Sequence, residues 1–328
     1  MTTLWDTTGT AVVKALAAER RTGGAVTSGI ALTLVVVVAE KDVDEAEEAA
    51  SIAASRHPMR MLIVIRRQYE APVPRLDAEV TIGGRLGPGE SVVLRMYGRL
   101  GLHAESVTLP LLAPDAPVVT WWHGNPPQRI AHDPLGVFAE RRITDVTRAA
   151  DPAACLRQRA EDFAPGDTDL AWTRITPWRA ALAAAFDGAP GTATSAAVQG
   201  GPTDPSAQLL AGWLTSRLKL TVPTEGDGDE PIRGVEIQFD TGRSATLSVE
   251  GSNLVVRREG QQDSYTPYKD RSDGDLLAEE LRRLDHDKVY ADALAAATGT
   301  QDLNERSSVR KHIWWDPAMQ AESAGEPA

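Results

Sequence analysis

Two histidines and a carboxylate in the middle of the chain are the first candidates for chemistry. His123, His132 and Asp133 lie in one short stretch, and imidazole and carboxylate groups are common zinc ligands. The chain has six histidines but no HxxxH or HExxH pair, the spacing that places two ligands on one face of a helix. The pattern therefore favours surface histidines over ligands, and we predict no metal site.

Loops that hold phosphate groups are the next signal to test. Neither GxGxxG nor GxxxxGK[ST] follows any predicted strand. The junction after the first predicted strand, Val38–Asp42, has no glycine and carries two acidic residues where backbone amides would meet an anion. No Ser, Thr or Cys lies in a nucleophile-elbow or triad signature. We predict no catalytic residue and no cofactor.

Tandem tryptophans give the strongest binding signal. Trp121 and Trp122 are followed by Arg141 and Arg142, and Trp and Arg dominate the hot spots of protein interfaces. We predict these four residues as a partner interface. The alternative is that the indoles belong to the core, because successive side chains of a strand point to opposite faces and at least one indole is then buried.

The elements that position these residues form a βαβ pattern. Ile30–Val38 and Met61–Ile65 are continuously apolar, as in parallel strands covered on both faces. Between them, residues 42–56 have helical spacing and end at His57-Pro58. Further strands are predicted at residues 76–82, 91–97, 118–120 and 170–172.

The C-terminal part has a different pattern. Apolar residues alternate with polar residues over 235–239 and 247–249, with turns at Asp240–Gly242 and Gly251–Asn253, which is typical of an antiparallel meander. We predict an α/β fold, with a mostly parallel N-terminal sheet and a smaller α+β C-terminal domain. The predicted boundaries are 1–186 for the first domain, 187–205 for a linker, 206–300 for the second domain and 301–328 for an irregular tail.

Charge and composition exclude several classes of partner. A net charge of −12 and a pI near 5.0 oppose binding to a phosphate backbone, so we expect no nucleic-acid partner. The longest apolar run, Ile30–Ala39, is far shorter than the roughly 20 residues of a membrane span. No N-terminal signal is present, and Cys155 is the single cysteine. We predict a cytoplasmic protein.

Several segments in combination resemble a known family. The chain is similar to the glucose-6-phosphate dehydrogenase assembly protein family of actinobacteria and cyanobacteria, the OpcA family. The similarity covers most of the chain and is densest between Leu109 and Arg179. The segments that carry it are Leu32–Val38, Ser55–Pro58, Leu109–Gly124, Asp133–Gly136, Arg141–Asp145, Ala171–Arg179 and Leu281–Asp285.

The resemblance implies a non-catalytic partner protein. Members of the family associate with glucose-6-phosphate dehydrogenase, promote its active oligomer or its response to effectors, and support the oxidative pentose phosphate pathway. Cyanobacterial members are linked to thioredoxin through cysteines, and the lone Cys155 cannot form such an internal switch. The alternative function is an enzyme, or a sensor of sugar phosphates or nucleotides, that uses the strand-end loop with His123, Asn125 and Asp133. A third possibility is a scaffold that binds the dehydrogenase without altering its rate.

Overall fold

The computed structural model describes residues 1–22, 29–67, 71–83, 89–186 and 191–308. The described chain divides into two compact units, residues 1–143 and 144–308. Residues 187–190 of the predicted linker and the predicted tail beyond residue 308 lie outside the described residues. No helix within the described ranges combines the length and the apolar character that crossing a membrane requires.

The first unit is built on a mostly parallel sheet. Its strands lie in the order β1-β4-β5-β3-β2-β6-β7, and β5, β3, β2, β6 and β7 are parallel neighbours, while β4 pairs antiparallel with β1 and β5. The elements are β1 Thr2–Leu4, α1 Gly9–Thr22, β2 Leu32–Val38, α2 Val43–Ala54, β3 Met59–Arg67, β4 Arg75–Ile82, β5 Glu90–Tyr97, α3 Ala104–Thr108, β6 Val118–His123, α4 Pro134–Val137 and β7 Arg141–Thr144.

The apolar runs of β2 and β3 explain why these two strands lie at the centre of the sheet. Nearly every residue of both strands is buried, because parallel strands are covered on both faces. Leu34 pairs with Met61 in one direction and with Val119 in the other. Helix α2 connects the two parallel strands and buries Ala46, Ala50 and Ala53. The predicted βαβ unit and the predicted parallel sheet are confirmed.

A buried carboxylate fixes helix α1 in the first unit. Glu90, at the start of β5, accepts two hydrogen bonds from Arg20 of α1, both at 2.6 Å. It also accepts one at 2.7 Å from Arg60 of β3, whose second donor reaches the carbonyl oxygen of Leu111 at 2.6 Å. Glu90 is fully buried. A buried charge is costly unless it is paired, and two guanidinium groups pair with this carboxylate.

The second unit contains a separate antiparallel sheet. Its strands lie in the order β13-β12-β11-β10-β9, and the inward residues of β10, such as Val235 and Ile237, alternate with exposed ones. The predicted meander is confirmed. The elements are α5 Pro152–Asp162, β8 Asp167–Asp169, α6 Leu170–Arg174, α7 Thr176–Phe186, β9 Ala193–Gln199, α8 Pro205–Leu218, β10 Gly234–Phe239, β11 Ser244–Glu250, β12 Asn253–Arg258, β13 Ser264–Pro267, α9 Asp273–Glu280 and α10 Lys288–Thr298.

Aromatic side chains join helices to this sheet in a core of its own. Trp178 of α7 meets Tyr268 edge to face, with ring centroids 5.9 Å apart, and Trp172 of α6 lies 5.8 Å from Tyr290 of α10. Helix α8 packs Leu209, Leu210 and Leu214 into the same core.

Three sequence predictions need correction in this unit. Residues 170–172 begin helix α6 and are not a strand, because the Asp169 side chain accepts a hydrogen bond from the backbone N–H of Ala171 and so caps a helix there. Residues 193–199 of the predicted linker form β9, which pairs with β10. The compact units divide at residue 143 rather than near residue 186, because α5, α6 and α7 pack into the core of the second unit.

Candidate functional site

The carboxyl ends of β2 and β6 lie where an open α/β sheet would bind a ligand. The strand order reverses direction at β2, since the chain passes to β3 on one side and later returns to β6 on the other. Open α/β sheets bind their ligands in the crevice at such a switch point. Val38 of β2 pairs with His123 of β6 at this edge, so the predicted strand-end loop does lie at the switch point.

The charges at this edge are unfavourable for a phosphate group. Glu45 of α2 places a carboxylate oxygen 3.7 Å from Nε2 of His123. Glu40, directly after β2, accepts hydrogen bonds from Nε of Arg95 at 3.0 and 3.2 Å, and Arg95 also donates to Glu79 at 2.5 Å. Glu40 and Glu45 thus place carboxylates near the strand ends, where a phosphate would need amide or cationic donors. Arg95 is itself engaged in ion pairs with Glu40 and Glu79.

His123 and Asp133 serve packing and capping. His123 is buried and meets the Trp121 ring edge to face, with ring centroids 5.1 Å apart. Asp133 accepts two hydrogen bonds from Arg66, at 2.8 and 2.9 Å, and one from the backbone N–H of Leu135 at 2.8 Å. Within the part of the chain that the structure describes, His123, His132 and Asp133 do not form a three-ligand group.

The four residues predicted as a partner interface are buried. Trp121 and Trp122 are 0% and 1% exposed, and Arg141 and Arg142 are each 3% exposed. A Cβ atom on Gly136 would lie 3.2 Å from the Trp122 ring, which shows how closely the indole packs on α4. Arg142 donates a hydrogen bond to the carbonyl oxygen of Ala139. The interface role stays a prediction, and the burial of all four side chains favours the core alternative.

A charged cluster in the second unit also has internal partners. Arg174 donates two hydrogen bonds of 2.8 Å to Asp145 and one of 3.1 Å to Asp273. Arg148 donates to the same Asp273. These acidic and basic side chains compensate one another, and the arrangement connects the start of α9 to the segment after β7.

Asp169, next to this cluster, has an unusual pKa. Burial raises the pKa of its carboxyl to about 6, and the negative charge of Asp145 adds to the rise. Hydrogen bonds from Thr144 and from the backbone N–H groups of Ala171 and Val146 act in the opposite direction. Since these donors belong to the backbone and to a buried threonine, the geometry is that of a helix cap rather than of a proton-transfer site.

A cavity in the first unit is the feature that sequence reasoning missed. It has a volume of about 610 Å³ and lies among the start of α1, the start of β4 and helix α3. Ligand pockets and side-chain pockets fall in this size range. Its lining is apolar at Val13, Leu76, Leu100 and Val107 and hydroxylic at Thr7, Thr8, Thr10 and Ser106.

Exposed apolar side chains flank this cavity. Six large hydrophobic side chains are exposed in the described part of the chain, and Trp5, Val73 and Leu109 are three of them, with exposures of 67%, 71% and 46%. Each directly precedes a residue that lines the cavity, namely Asp6, Pro74 and Pro110. We call the cavity together with Trp5, Val73 and Leu109 the Trp5 groove. The available sequence signal was an isolated Trp between a short strand and a helix, together with the Pro-Val-Pro run at 72–74.

Comparison with protein families gives two adjacent matches. Residues 50–161 match the model described as the glucose-6-phosphate dehydrogenase subunit N-terminal domain. Residues 165–294 match the model described as the C-terminal domain of the same subunit. Together the two matches cover well over half of the 328 residues.

Other comparisons are distant. No curated protein matches the chain. Among solved structures, the chain is similar to KijD10, a 3-ketoreductase from Actinomadura kijaniata in complex with NADP and TDP-benzene, with a TM-score of 0.43 and 11% sequence identity. That alignment covers 87% of this chain and 99% of the reductase. Because the two domain models match in the expected order, this chain belongs to the glucose-6-phosphate dehydrogenase assembly family, the OpcA family.

Proposed function

We propose that this chain is a non-catalytic partner of glucose-6-phosphate dehydrogenase that binds the enzyme and promotes its active oligomer. The observation that carries the proposal is the pair of family matches, which span residues 50–161 and 165–294 and are both described as dehydrogenase subunit domains. The partner would then act in the oxidative pentose phosphate pathway.

The chemistry of the described side chains supports this proposal over the enzyme alternative. At the switch point of the sheet, Asp133 engages Arg66 and caps α4, and Glu40 engages Arg95. Acidic groups used in this way stabilise the fold and are not poised to transfer protons to a substrate. An assembly factor needs no reaction centre.

The proposed activation has a thermodynamic requirement. A partner shifts an equilibrium between inactive and active dehydrogenase only if it binds the active form more tightly. Each tenfold preference corresponds to about 1.4 kcal/mol. A scaffold with equal affinity for both forms would bind without altering the rate.

A titration of enzyme activity tests the proposal. The cognate dehydrogenase is assayed over a range of glucose 6-phosphate concentrations at increasing concentrations of this chain. We expect a saturable rise in kcat/KM and no turnover of glucose 6-phosphate by the chain alone. Calorimetry of the chain with glucose 6-phosphate and with NADP is the companion measurement, because a sensor would bind one of them without the dehydrogenase. Turnover by the chain alone would refute the proposal.

A further inference from the structure

We propose that the Trp5 groove is the surface that contacts the dehydrogenase, and that it accepts an apolar side chain of the enzyme with a lysine or arginine beside it. This inference rests on the proposed function, which supplies the partner. It deepens that proposal by naming the surface and the chemistry of the segment that the surface recognises.

The Trp5 groove exposes several large apolar side chains. Trp5, Val73 and Leu109 are half to mostly exposed although each has a large apolar side chain. Each directly precedes a residue that lines the same cavity, and apolar exposure around one site marks interaction surfaces. They flank a cavity of about 610 Å³ whose lining includes Leu76 and Val107, both buried. A pocket of this kind beside an exposed tryptophan is the usual setting of an interface hot spot.

The polar side chains of the lining do not suit a small anionic ligand. The cationic side chain of the lining is Arg75, and its guanidinium donates to both carboxylate oxygens of Asp77, at 2.9 and 2.7 Å. Thr8 uses its hydroxyl to accept a hydrogen bond from the backbone N–H of Ala11 at the start of α1. Arg75 and Thr8 are therefore engaged within the chain, and the buried Leu76 and Val107 of the lining offer apolar contact.

The groove also carries an exposed negative charge at Asp6. Asp6 is exposed, and its carboxylate accepts no hydrogen bond from the residues that the structure describes. Its backbone is fixed, because its N–H donates to Asp77 at 2.9 Å and the next N–H, of Thr7, donates to the carbonyl oxygen of Leu76 at 2.8 Å. The backbone at Asp6 has φ +45°, a conformation that an aspartate adopts more readily than most residues. The hydrogen bond to Asp77 raises the pKa of Arg75 and the negative charge of Asp6 contributes to the rise, but that guanidinium is already paired with Asp77. The two carboxylates therefore exceed the one guanidinium by one negative charge, and an exposed carboxylate next to an apolar cavity is complementary to a basic residue that neighbours an apolar one.

The test compares groove variants with matched variants in the second unit. The groove variants are the triple replacement Trp5→Ala, Val73→Ser, Leu109→Ser and the charge reversal Asp6→Lys. The controls are Tyr265→Ala with Val249→Ser, which remove the two large apolar side chains that are exposed in the described part of the second unit, and Asp270→Lys, which makes the same charge change at an exposed position there. Affinity for the purified cognate dehydrogenase is measured by calorimetry at two salt concentrations, and the melting temperature of every variant is recorded.

We expect the triple variant to bind the dehydrogenase at least about tenfold more weakly than the natural chain. We also expect Asp6→Lys to weaken binding several-fold at low salt and less at high salt, while both controls bind like the natural chain. The melting temperature of the triple variant should stay close to that of the natural chain because its altered side chains are exposed. A modest decrease is expected for Asp6→Lys, since lysine adopts the positive φ of this position less readily than aspartate.

Three results would overturn the inference, and they differ in what they imply. If the natural chain binds and the groove variants bind equally well, the groove is excluded as the contact while the proposed function stands. If the natural chain does not bind the dehydrogenase, the proposed function fails and the inference fails with it. If the natural chain self-associates in sedimentation and the triple variant is monomeric, with enzyme affinity unchanged, the groove is a contact between two copies of this chain.

Discussion

Arg66 and Asp133 form a bidentate ion pair, with two hydrogen bonds of 2.8 and 2.9 Å between the guanidinium and the carboxylate. The same carboxylate caps α4 through the backbone N–H of Leu135. Asp133 begins one of the segments that resemble the family, and it belongs to the strand-end loop that the alternative function would use. Its contacts give a structural reason for an aspartate at this position: one side chain holds a strand and a helix of the first unit together.

Replacement of Asp133 should therefore reduce stability. Asp133→Ala leaves the buried part of Arg66 without its carboxylate and α4 without its cap, and we expect a loss of about 3 kcal/mol in the free energy of unfolding. Asp133→Asn should cost less, because asparagine caps helices well and keeps one acceptor. Urea denaturation measures both values, and equal stability of the alanine variant and the natural chain would contradict the assigned role.

Replacement of Glu90 should lower the free energy of unfolding at least as much as replacement of Asp133. It is fully buried and accepts hydrogen bonds from Arg20 and Arg60, so Glu90→Ala leaves two guanidinium groups without their shared anion. We expect a loss of about 3–5 kcal/mol. Glu48→Ala, at an exposed position of α2, is the control and should change the free energy of unfolding by less than about 0.5 kcal/mol. Similar values for the two variants would rule out this anchoring role for Glu90.

Variants of Trp122 and of Arg141 with Arg142 can distinguish a role of these side chains in the core from a role in a partner interface. Trp122→Ala removes a buried ring that packs against Gly136, and we expect a loss of about 3–5 kcal/mol. The double variant Arg141→Ala, Arg142→Ala should likewise lower the melting temperature, since both side chains are buried. The measurement is thermal unfolding together with affinity for the dehydrogenase. Weaker binding at an unchanged melting temperature would restore the interface interpretation.

Asp169 should make the stability of the second unit against unfolding depend on pH. Its pKa of about 6 in the fold exceeds the ordinary value of 3.8, so between these pH values the folded chain binds more protons at this site than the unfolded chain. Its contribution to stability is then fully present below about pH 4 and is lost as the pH rises through about 6. The change is roughly 3 kcal/mol over the whole interval.

The measurement is the free energy of unfolding of the natural chain and of Asp169→Asn between pH 4 and pH 7. Because asparagine does not titrate, the stability of the natural chain relative to the variant should fall as the pH rises. A difference that stays constant or grows with pH would show that the buried carboxyl is ionised throughout.

The sequence predicted the elements that have a clear hydrophobic period. The apolar runs of β2 and β3 and the alternation in β10 and β11 report burial directly, so their strands and sheet types could be inferred. Residues 170–172 were misassigned because a three-residue apolar run is too short to show a period, and the capping aspartate before it was the better signal. Strand β9 was missed because its alanine, serine and threonine residues resemble those of a linker.

The candidate surface could not be predicted by the same reasoning. The Trp5 groove combines residues from 5–13, 73–76 and 100–110, and their proximity follows from the pairing of β1 with β4 and the packing of α1 beside it. Tandem tryptophans were a stronger local signal than the isolated Trp5. Local composition does not reveal burial, however, and the structure places Trp121 and Trp122 in the interior and Trp5 at the surface.

We propose above that this chain holds the dehydrogenase in its active oligomer. The most direct measurement is sedimentation velocity of the cognate dehydrogenase at a concentration where its oligomer partly dissociates, with and without this chain, with activity measured on the same samples. We expect a shift of the enzyme to the larger species, co-sedimentation of this chain and a parallel rise in activity. An unchanged distribution of enzyme species together with unchanged activity, at saturating concentrations of this chain, would contradict it.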